Sequence, residues 1–184
     1  MIRTLLIIFF FLFCFSAKSD EKSKIIQNFN KIENLSFDFN QTIDGKTERG
    51  NCTIEYPKKI YCSYKKRHNK ILVSNGKSLV IKSDKLNQYY YYPLKSTPFE
   101  LLLDKKFILN KIMNSEVGTT NEKYYYFSIK NKNYEINVFF DNKDYNLVGW
   151  QTEDIYQNLT VTFIYNLKIN TNINKKLFIL PTKY

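Results

Sequence analysis

Apolar and polar residues alternate along most of the chain, and a period of two is typical of β-strands that bury one face. Residues 35–43 show it most clearly, because Leu35, Phe37 and Phe39 alternate with serine, aspartate and asparagine. Further runs bring the expected total to about nine to eleven strands. They include residues 70–74, 77–82, 89–92, 124–129, 134–140, 147–152 and 158–166. The pattern therefore predicts a protein built mainly from a β-sheet.

Short turns separate these runs, so consecutive strands are expected to pair as antiparallel neighbours. Asp44-Gly45, Asn75-Gly76 and Asp141-Asn142 all have turn chemistry. Asn75-Gly76 is the sharpest signal, because a two-residue hairpin turn with positive φ at both central positions favours Asn-Gly.

Two segments have helical spacing instead. Apolar residues recur at that spacing in residues 25–32, and Asp20 or Ser23 can cap the helix. Residues 93–98 then interrupt the sheet with two prolines, and residues 99–113 follow as one helix or two short ones.

Two or three helices are too few to cover both faces of so many strands. A strongly twisted sheet of this size must curl, and the apolar helix faces find their place inside the curl. The predicted fold class is α+β, with a strongly curved antiparallel sheet that forms an unclosed half-barrel and helices that lid its concave face.

The N-terminus reads as a secretory signal peptide over residues 1–19. Arg3 precedes an unbroken apolar run from Leu5 to Phe15, and Ala17-Lys18-Ser19 places small residues before a cleavage point. The run is shorter than the ~20 residues of a membrane span, so an uncleaved anchor is the alternative. A lipoprotein signal fits less well, because a bulky phenylalanine precedes Cys14. Residues 20–184 are expected to form one exported domain.

The excess of basic residues and the high aromatic content each raise the question of a ligand. The 28 Lys and Arg residues exceed the 17 Asp and Glu residues, which gives a net charge of +11 and raises the question of nucleic acid. Export from the cytoplasm argues against nucleic acid, so no nucleic-acid partner is predicted. Aromatic residues make up 17% of the chain, and either strand preference or the lining of a ligand cavity accounts for them.

Candidate catalytic groups are sparse. The chain has no Gly-x-Ser-x-Gly motif and no phosphate-binding glycine loop. Its single histidine, His68, lies in a basic turn and is interpreted as a solvated residue. A hydrolase of lipids or glycans on a β scaffold is the rival class, but it would need a nucleophile or a carboxylate pair in the cavity, and strand parity places none there except the two cysteines. We therefore predict no enzymatic activity, no cofactor and no metal.

Two cysteines remain after export, Cys52 and Cys62. They are equidistant from a hairpin turn at Pro57, so they would face each other across two antiparallel strands. A cross-strand disulfide and a pair of buried thiols both fit this placement.

A series of motifs resembles one known family. The motifs are Phe39-x-Gln41, Tyr56-Pro57, Ile71-Leu-Val-Ser-Asn-Gly-Lys-Ser-Leu79, Tyr92-Pro-Leu-x-x-Thr-Pro-Phe-x-Leu-Leu102 and Phe178-x-x-Pro181. Their order is similar to that of the outer-membrane lipoprotein carrier protein (LolA) family over nearly the whole exported chain. The most specific part is the Val-Ser-Asn-Gly-Lys hairpin followed by Pro-Leu-x-x-Thr-Pro.

The resemblance implies a carrier that shelters lipoprotein acyl chains in its concave face. Members take acylated lipoproteins from an inner-membrane ABC-type release complex, cross the periplasm of a Gram-negative bacterium, and deliver them to an outer-membrane lipoprotein receptor. The family has neither enzymatic activity nor a cofactor, and we expect a monomer. The alternative is a related sheet-and-lid sensor or receptor of lipids or lipoproteins in the cell envelope.

Strand parity and the resemblance together define the expected site. The acyl-chain cavity would be lined by Leu35, Phe37, Phe39, Ile54, Ile60, Cys62, Tyr64, Leu79, Tyr90 and Tyr92. The lid would be formed by Phe99, Leu102, Leu103, Phe107 and Ile108.

One position departs from the family pattern. The residue before the equivalent of Pro57 is an arginine in well-known members, where it hydrogen-bonds the lid and holds the empty carrier closed; here it is Tyr56. Tyrosine offers one neutral donor where arginine offers five charged ones. A latch at this site is therefore expected to be weaker, or to be made differently by Lys58 or Lys59.

Overall fold

The computed structural model describes residues 17–65, 69–120, 123–153 and 158–182. Most of the expected signal peptide lies outside these residues, and so does His68.

The described residues form eleven strands in one antiparallel sheet. The strands are β1 (Asn34–Ile43), β2 (Lys46–Glu55), β3 (Lys59–Lys65), β4 (Lys70–Asn75), β5 (Ser78–Ser83), β6 (Gln88–Pro93), β7 (Gly118–Thr120), β8 (Tyr124–Lys130), β9 (Glu135–Asp141), β10 (Leu147–Glu153) and β11 (Leu159–Ile169). Their order across the sheet is β6-β5-β4-β3-β2-β1-β11-β10-β9-β8-β7. Because β6 and β7 end the sheet and do not pair within the described residues, the half-barrel is open, which confirms the predicted fold class.

Three α-helices and two 3₁₀ turns complete the described part of the chain. They are α1 (Ala17–Asn30), a 3₁₀ turn (Leu94–Ser96), α2 (Phe99–Leu102), α3 (Lys105–Met113) and a second 3₁₀ turn (Lys175–Phe178). Helix α1 thus begins before the expected caps at Asp20 and Ser23. The predicted helical segment 99–113 is split in two, because Asp104 caps α3 by accepting a hydrogen bond from the Phe107 amide at 3.0 Å.

Helices α1 and α3 cap each other. The Lys105 ammonium of α3 donates to the Asn30 and Ile32 carbonyls at the end of α1, at 2.8 and 2.6 Å. The Lys22 ammonium of α1 donates to the Met113 carbonyl at the end of α3, at 2.7 Å. Cations at the C-terminus of a helix stabilise its unpaired carbonyls, so the two helices support each other as a pair.

The hydrophobic core lies between these helices and the concave face. Leu35 pairs with Ile54 and Ile54 with Ile60 across β1, β2 and β3, and all three side chains are fully buried. On the other half of the sheet, the buried Phe29 ring of α1 packs edge-on against Phe140. The period of two in the sequence therefore becomes one continuous apolar face.

The hairpin between β4 and β5 differs in detail from the prediction. Ser74 pairs with Leu79, so the central turn residues are Gly76 and Lys77 rather than Asn75 and Gly76. Only Gly76 has a positive φ in this turn, as a turn with glycine at its first central position requires. Asn75 instead accepts hydrogen bonds from the amides of Lys77 and Ser78 through its side chain, both at 3.0 Å.

Candidate functional site: an apolar cavity under a helical lid

A cavity of about 450 Å³ lies between the concave face and residues 97–102. This is within the usual size of a pocket for a small ligand. Its wall on β4 to β6 includes Leu72, Leu79, Ile81, Tyr90 and Tyr92, and its opposite wall includes Ile136 and Trp150. We call residues 99–113, which contain α2 and α3, the lid.

Some of the residues expected at the site border this cavity. They are Tyr64, Leu79, Tyr90 and Tyr92 of the sheet and Phe99 and Leu102 of the lid. The register explains their meeting, since Leu79 pairs with Tyr92 and lies on the concave face. The lid residues reach the cavity because the chain turns at residues 94–98, between β6 and α2.

The other expected residues belong to the closed core. They are Leu35, Phe37, Phe39, Ile54, Ile60, Cys62, Leu103, Phe107 and Ile108. All are buried except Phe107, which is half-buried and packs against the core. These positions of the concave face are thus packed in the core, and the open volume lies beside them. These residues are closed to a ligand in this structure.

Cys52 and Cys62 form a disulfide, with the two Cα atoms 4.1 Å apart. They are directly opposite each other in the β2–β3 register. Both side chains lie in the hydrophobic core, so the bond joins two neighbouring strands of the sheet within the core.

The cavity has a polar end that the sequence interpretation missed. Glu48 and Lys70 line it and form an ion pair. The Lys70 ammonium also lies 3.8 Å from the centre of the Tyr64 ring, a cation–π contact. Alternation along β2 and β4 was the available signal, because Glu48 shares a face with Cys52, and Lys70 with Leu72.

Tyr64 continues the polar chain across the sheet. Its hydroxyl donates to the side-chain oxygen of Gln41 at 3.4 Å, and the side-chain nitrogen of Gln41 donates to the Thr162 hydroxyl at 3.0 Å. Burial raises the pKa of Tyr64, so its hydroxyl stays protonated and able to donate at neutral pH.

Gly50 leaves the space in which the Phe39 ring packs against the Tyr64 ring. A Cβ atom at Gly50 would lie 2.2 Å from the Ser63 carbonyl oxygen and 2.7 Å from the Phe39 ring. The Phe39 ring lies over this glycine and packs edge-on against Tyr64, with centroids 5.1 Å apart. A residue without a side chain is therefore required at this crossing.

The turn between β2 and β3 contacts the lid through hydrogen bonds and ion pairs. The Lys58 amide donates to the Leu103 carbonyl at 2.9 Å. The Lys58 ammonium donates to Glu100 at 2.6 Å and lies 3.6 Å from Asp104. Lys59 instead pairs with Glu55 of its own hairpin, at 3.3 Å. Of the two lysines, Lys58 is the one that contacts the lid.

Tyr56 contacts its neighbours through its aromatic ring. Its ring contacts Phe29 edge-on at 5.9 Å, and the Lys105 ammonium lies 5.8 Å from the ring centre. Burial raises the pKa of its hydroxyl. The aromatic ring therefore stabilises the junction of α1, α3 and the turn by packing.

Substituting Lys58 with methionine is expected to loosen the lid without unfolding the domain. The pair with Glu100 is partly exposed, so its loss should speed hydrogen exchange of residues 99–104 only about two- to fivefold. The hydrogen bond that the Lys58 ammonium donates to Glu100 raises the pKa of Lys58, so its stabilising effect is complete at neutral pH and is lost as the pH rises through that raised pKa. Hydrogen exchange followed by mass spectrometry measures both effects.

Lys59→Met is the matched control for this experiment, because it removes a neighbouring ammonium that does not touch the lid. Equal exchange in the two variants, or a lid unchanged by Lys58→Met, would contradict an energetic role for the Lys58 contact.

Two further properties of the described residues bear on the site. No helix among them is long and apolar enough to cross a membrane. Nor do the described ranges contain three or more His, Cys, Asp or Glu side chains grouped so that they could hold a metal ion.

Solved structures with similar folds share little sequence with this chain. A domain from Vibrio parahaemolyticus, named for outer membrane lipoprotein sorting, is 10% identical; the match covers 85% of this chain and 95% of that chain, with a TM-score of 0.50. A LolA superfamily protein from Nitrosomonas europaea is 6% identical over 90% and 98% of the two chains, with a TM-score of 0.47. MucB is 6% identical over 90% and 63%, with a TM-score of 0.49. At such identities these likenesses concern the fold alone.

Sequence comparison identifies the family. No curated protein sequence matches the chain significantly. The sequence profile described as "Outer membrane lipoprotein carrier protein LolA" matches residues 30–180, a range that includes every strand, the lid and the cavity lining. The chain therefore belongs to the family of outer membrane lipoprotein carrier proteins, LolA.

Proposed function

We propose that this protein is a periplasmic chaperone that shelters the acyl chains of lipoproteins and carries them from the inner to the outer membrane of a Gram-negative bacterium. The observation that carries the proposal is the apolar cavity between the lid and the concave sheet of a LolA-family chain. The predicted signal peptide supports export to the compartment where such transport takes place.

Burial of hydrocarbon supplies the binding energy. Each methylene removed from water contributes about 0.8 kcal/mol, so about ten of them supply about 8 kcal/mol before the costs of ordering the chain and the lid. The cavity wall suits this role, because Leu72, Leu79 and Ile81 line it with apolar side chains. This contribution depends on area rather than on a particular headgroup, so one cavity can accept many lipoproteins.

Movement of the lid makes this binding reversible. Residues such as Phe39, Ile54 and Ile60 are already buried in the core. Cargo that reaches them must displace α2 and α3, so packing against the acyl chain replaces packing against the lid. This exchange lowers the net affinity and lets a receptor remove the cargo. In this scheme Lys58, beside Tyr56, supplies the closing contact that the family's arginine provides elsewhere.

The partners follow from the same proposal. Acylated lipoproteins are the cargo, an inner-membrane ABC-type complex supplies them, and an outer-membrane lipoprotein receptor accepts them. The chaperone acts as a monomer, catalyses no reaction and uses no cofactor.

The test is the recovery of acylated cargo with the protein from the periplasm, detected by mass spectrometry. Wild-type protein should copurify with acylated lipoproteins, and Ile81→Glu should lose at least about tenfold of this cargo, because a carboxylate in the cavity is costly to desolvate. Ile81 is only half-buried and lines the cavity, so this variant can fold.

Ile71→Glu is the matched control. Ile71 pairs with residue 82 on the face opposite to the cavity and is also half-buried, so its variant should keep its cargo. Failure of the wild-type protein to carry acylated protein, or equal recovery from both glutamate variants, would overturn the proposed function.

A further inference from the structure

The polar end of the cavity is unexpected in a site for hydrocarbon alone. Lys70 and Glu48 line the same volume as Leu79, Phe99 and Leu102. Charged groups at an apolar cavity are costly unless they are paired or have a ligand to bind. The ion pair reduces this cost but leaves polar atoms facing the site.

Lys70 is held in one place. Glu48 accepts a hydrogen bond from its ammonium, and the ammonium lies on the face of Tyr64. The Tyr64 ring is itself fixed by Phe39 and by its hydrogen bond to Gln41. Side chains held this way lose little further freedom on binding a ligand.

The charges at this end favour a neutral ligand group over an anion. An ammonium has three donor hydrogens, and Glu48 accepts only one of them. Lys70 is the one cation among the described residues that line the cavity, and Glu48 already balances its charge. A carboxylate or phosphate at Lys70 would be repelled by the neighbouring Glu48 carboxylate, but an uncharged carbonyl oxygen can accept a further hydrogen of the ammonium without that repulsion.

We propose that Lys70 hydrogen-bonds the carbonyl oxygen of an acyl ester. The ester then lies at the polar end of the cavity, and its hydrocarbon chain extends along Leu79 toward Phe99 and Leu102 of the lid. This inference rests on the proposed function and adds to it a recognised chemical group and a direction for the chain.

The experiment compares two ligands that differ only at the carbonyl. Equilibrium binding of dioctanoylglycerol, which has two acyl esters, is measured against dioctylglycerol, which has ether links and no carbonyl. Wild-type protein should bind the ester about tenfold more tightly, because a hydrogen bond from a charged donor is strong in such a site. Lys70→Met should bring the ratio of the two affinities close to one, and this ratio is the readout because loss of the partner of Glu48 can change the affinity for both ligands together.

Two further variants complete the design. Lys70→Arg keeps a charged donor and should retain the preference for the ester. Lys77→Met removes an exposed lysine in the β4–β5 turn and should behave as wild type. Ether binding by each variant reports that the cavity is intact, so a folding defect is distinguished from loss of ester recognition.

The outcomes separate this inference from the proposed function. Equal binding of ester and ether by the wild-type protein would overturn the role of Lys70 while leaving the cavity as a lipid site. Tighter binding of octanoate than of the ester, lost in Lys70→Met, would also overturn it by showing an anion site. If neither glycerolipid binds, the proposed function fails and this inference fails with it.

Discussion

Replacing Phe29 with alanine should lower the free energy of unfolding by about 3–5 kcal/mol, the usual cost of removing a fully buried phenylalanine. The ring is 1% exposed. It contacts Tyr56 and Phe140 edge-on, with centroids 5.9 and 5.6 Å apart. Its removal leaves a cavity at the junction of α1, the β2–β3 turn and β9, which the rigid sheet cannot close. Urea unfolding of the wild-type and variant proteins measures the loss.

Phe163→Ala provides the matched control, since it removes the same atoms from a ring that is 41% exposed. It should cost only about 1 kcal/mol. Similar losses in the two variants would contradict the view that α1 is an essential part of the core.

Reducing the disulfide between Cys52 and Cys62 should lower the free energy of unfolding by about 3 kcal/mol. The bond joins residues 10 positions apart in the sequence. Closing a loop of that length lowers the entropy of the unfolded chain, which accounts for about 3 kcal/mol of stability. Unfolding curves with and without reductant give the difference.

The double variant Cys52→Ala/Cys62→Ala is the control, because reductant should leave its stability unchanged. It should also be less stable than the oxidised wild-type protein. An oxidised protein no more stable than the reduced one would contradict a stabilising role for the bond.

These two predictions concern the parts of the molecule that must not move in the proposed carrier. The disulfide joins β2 and β3 within the core. Phe29 anchors helix α1, which is hydrogen-bonded to α3 of the lid, to the sheet. In that carrier, α2 and α3 would give up the Lys22 and Lys105 contacts with α1 as they move, while the wall keeps its shape.

Alternation of apolar and polar residues was enough to predict the sheet, because the side-chain period of a strand depends only on local backbone geometry. The same parity placed Tyr90 and Tyr92 on one face, and equal distances from the turn at Pro57 set Cys52 opposite Cys62. The interruption at residues 93–98 was equally local, since proline cannot donate to a sheet ladder.

Only the tertiary structure decided which part of that apolar face is open. Leu35 and Leu79 follow the same pattern in the sequence, but Leu35 is sealed in the core while Leu79 borders the cavity. The contacts of Lys58 with Glu100 and of Lys70 with Glu48 likewise join residues 42 and 22 positions apart. Periodicity tells which way a side chain points from its own strand, but the packing of distant segments determines what it meets there.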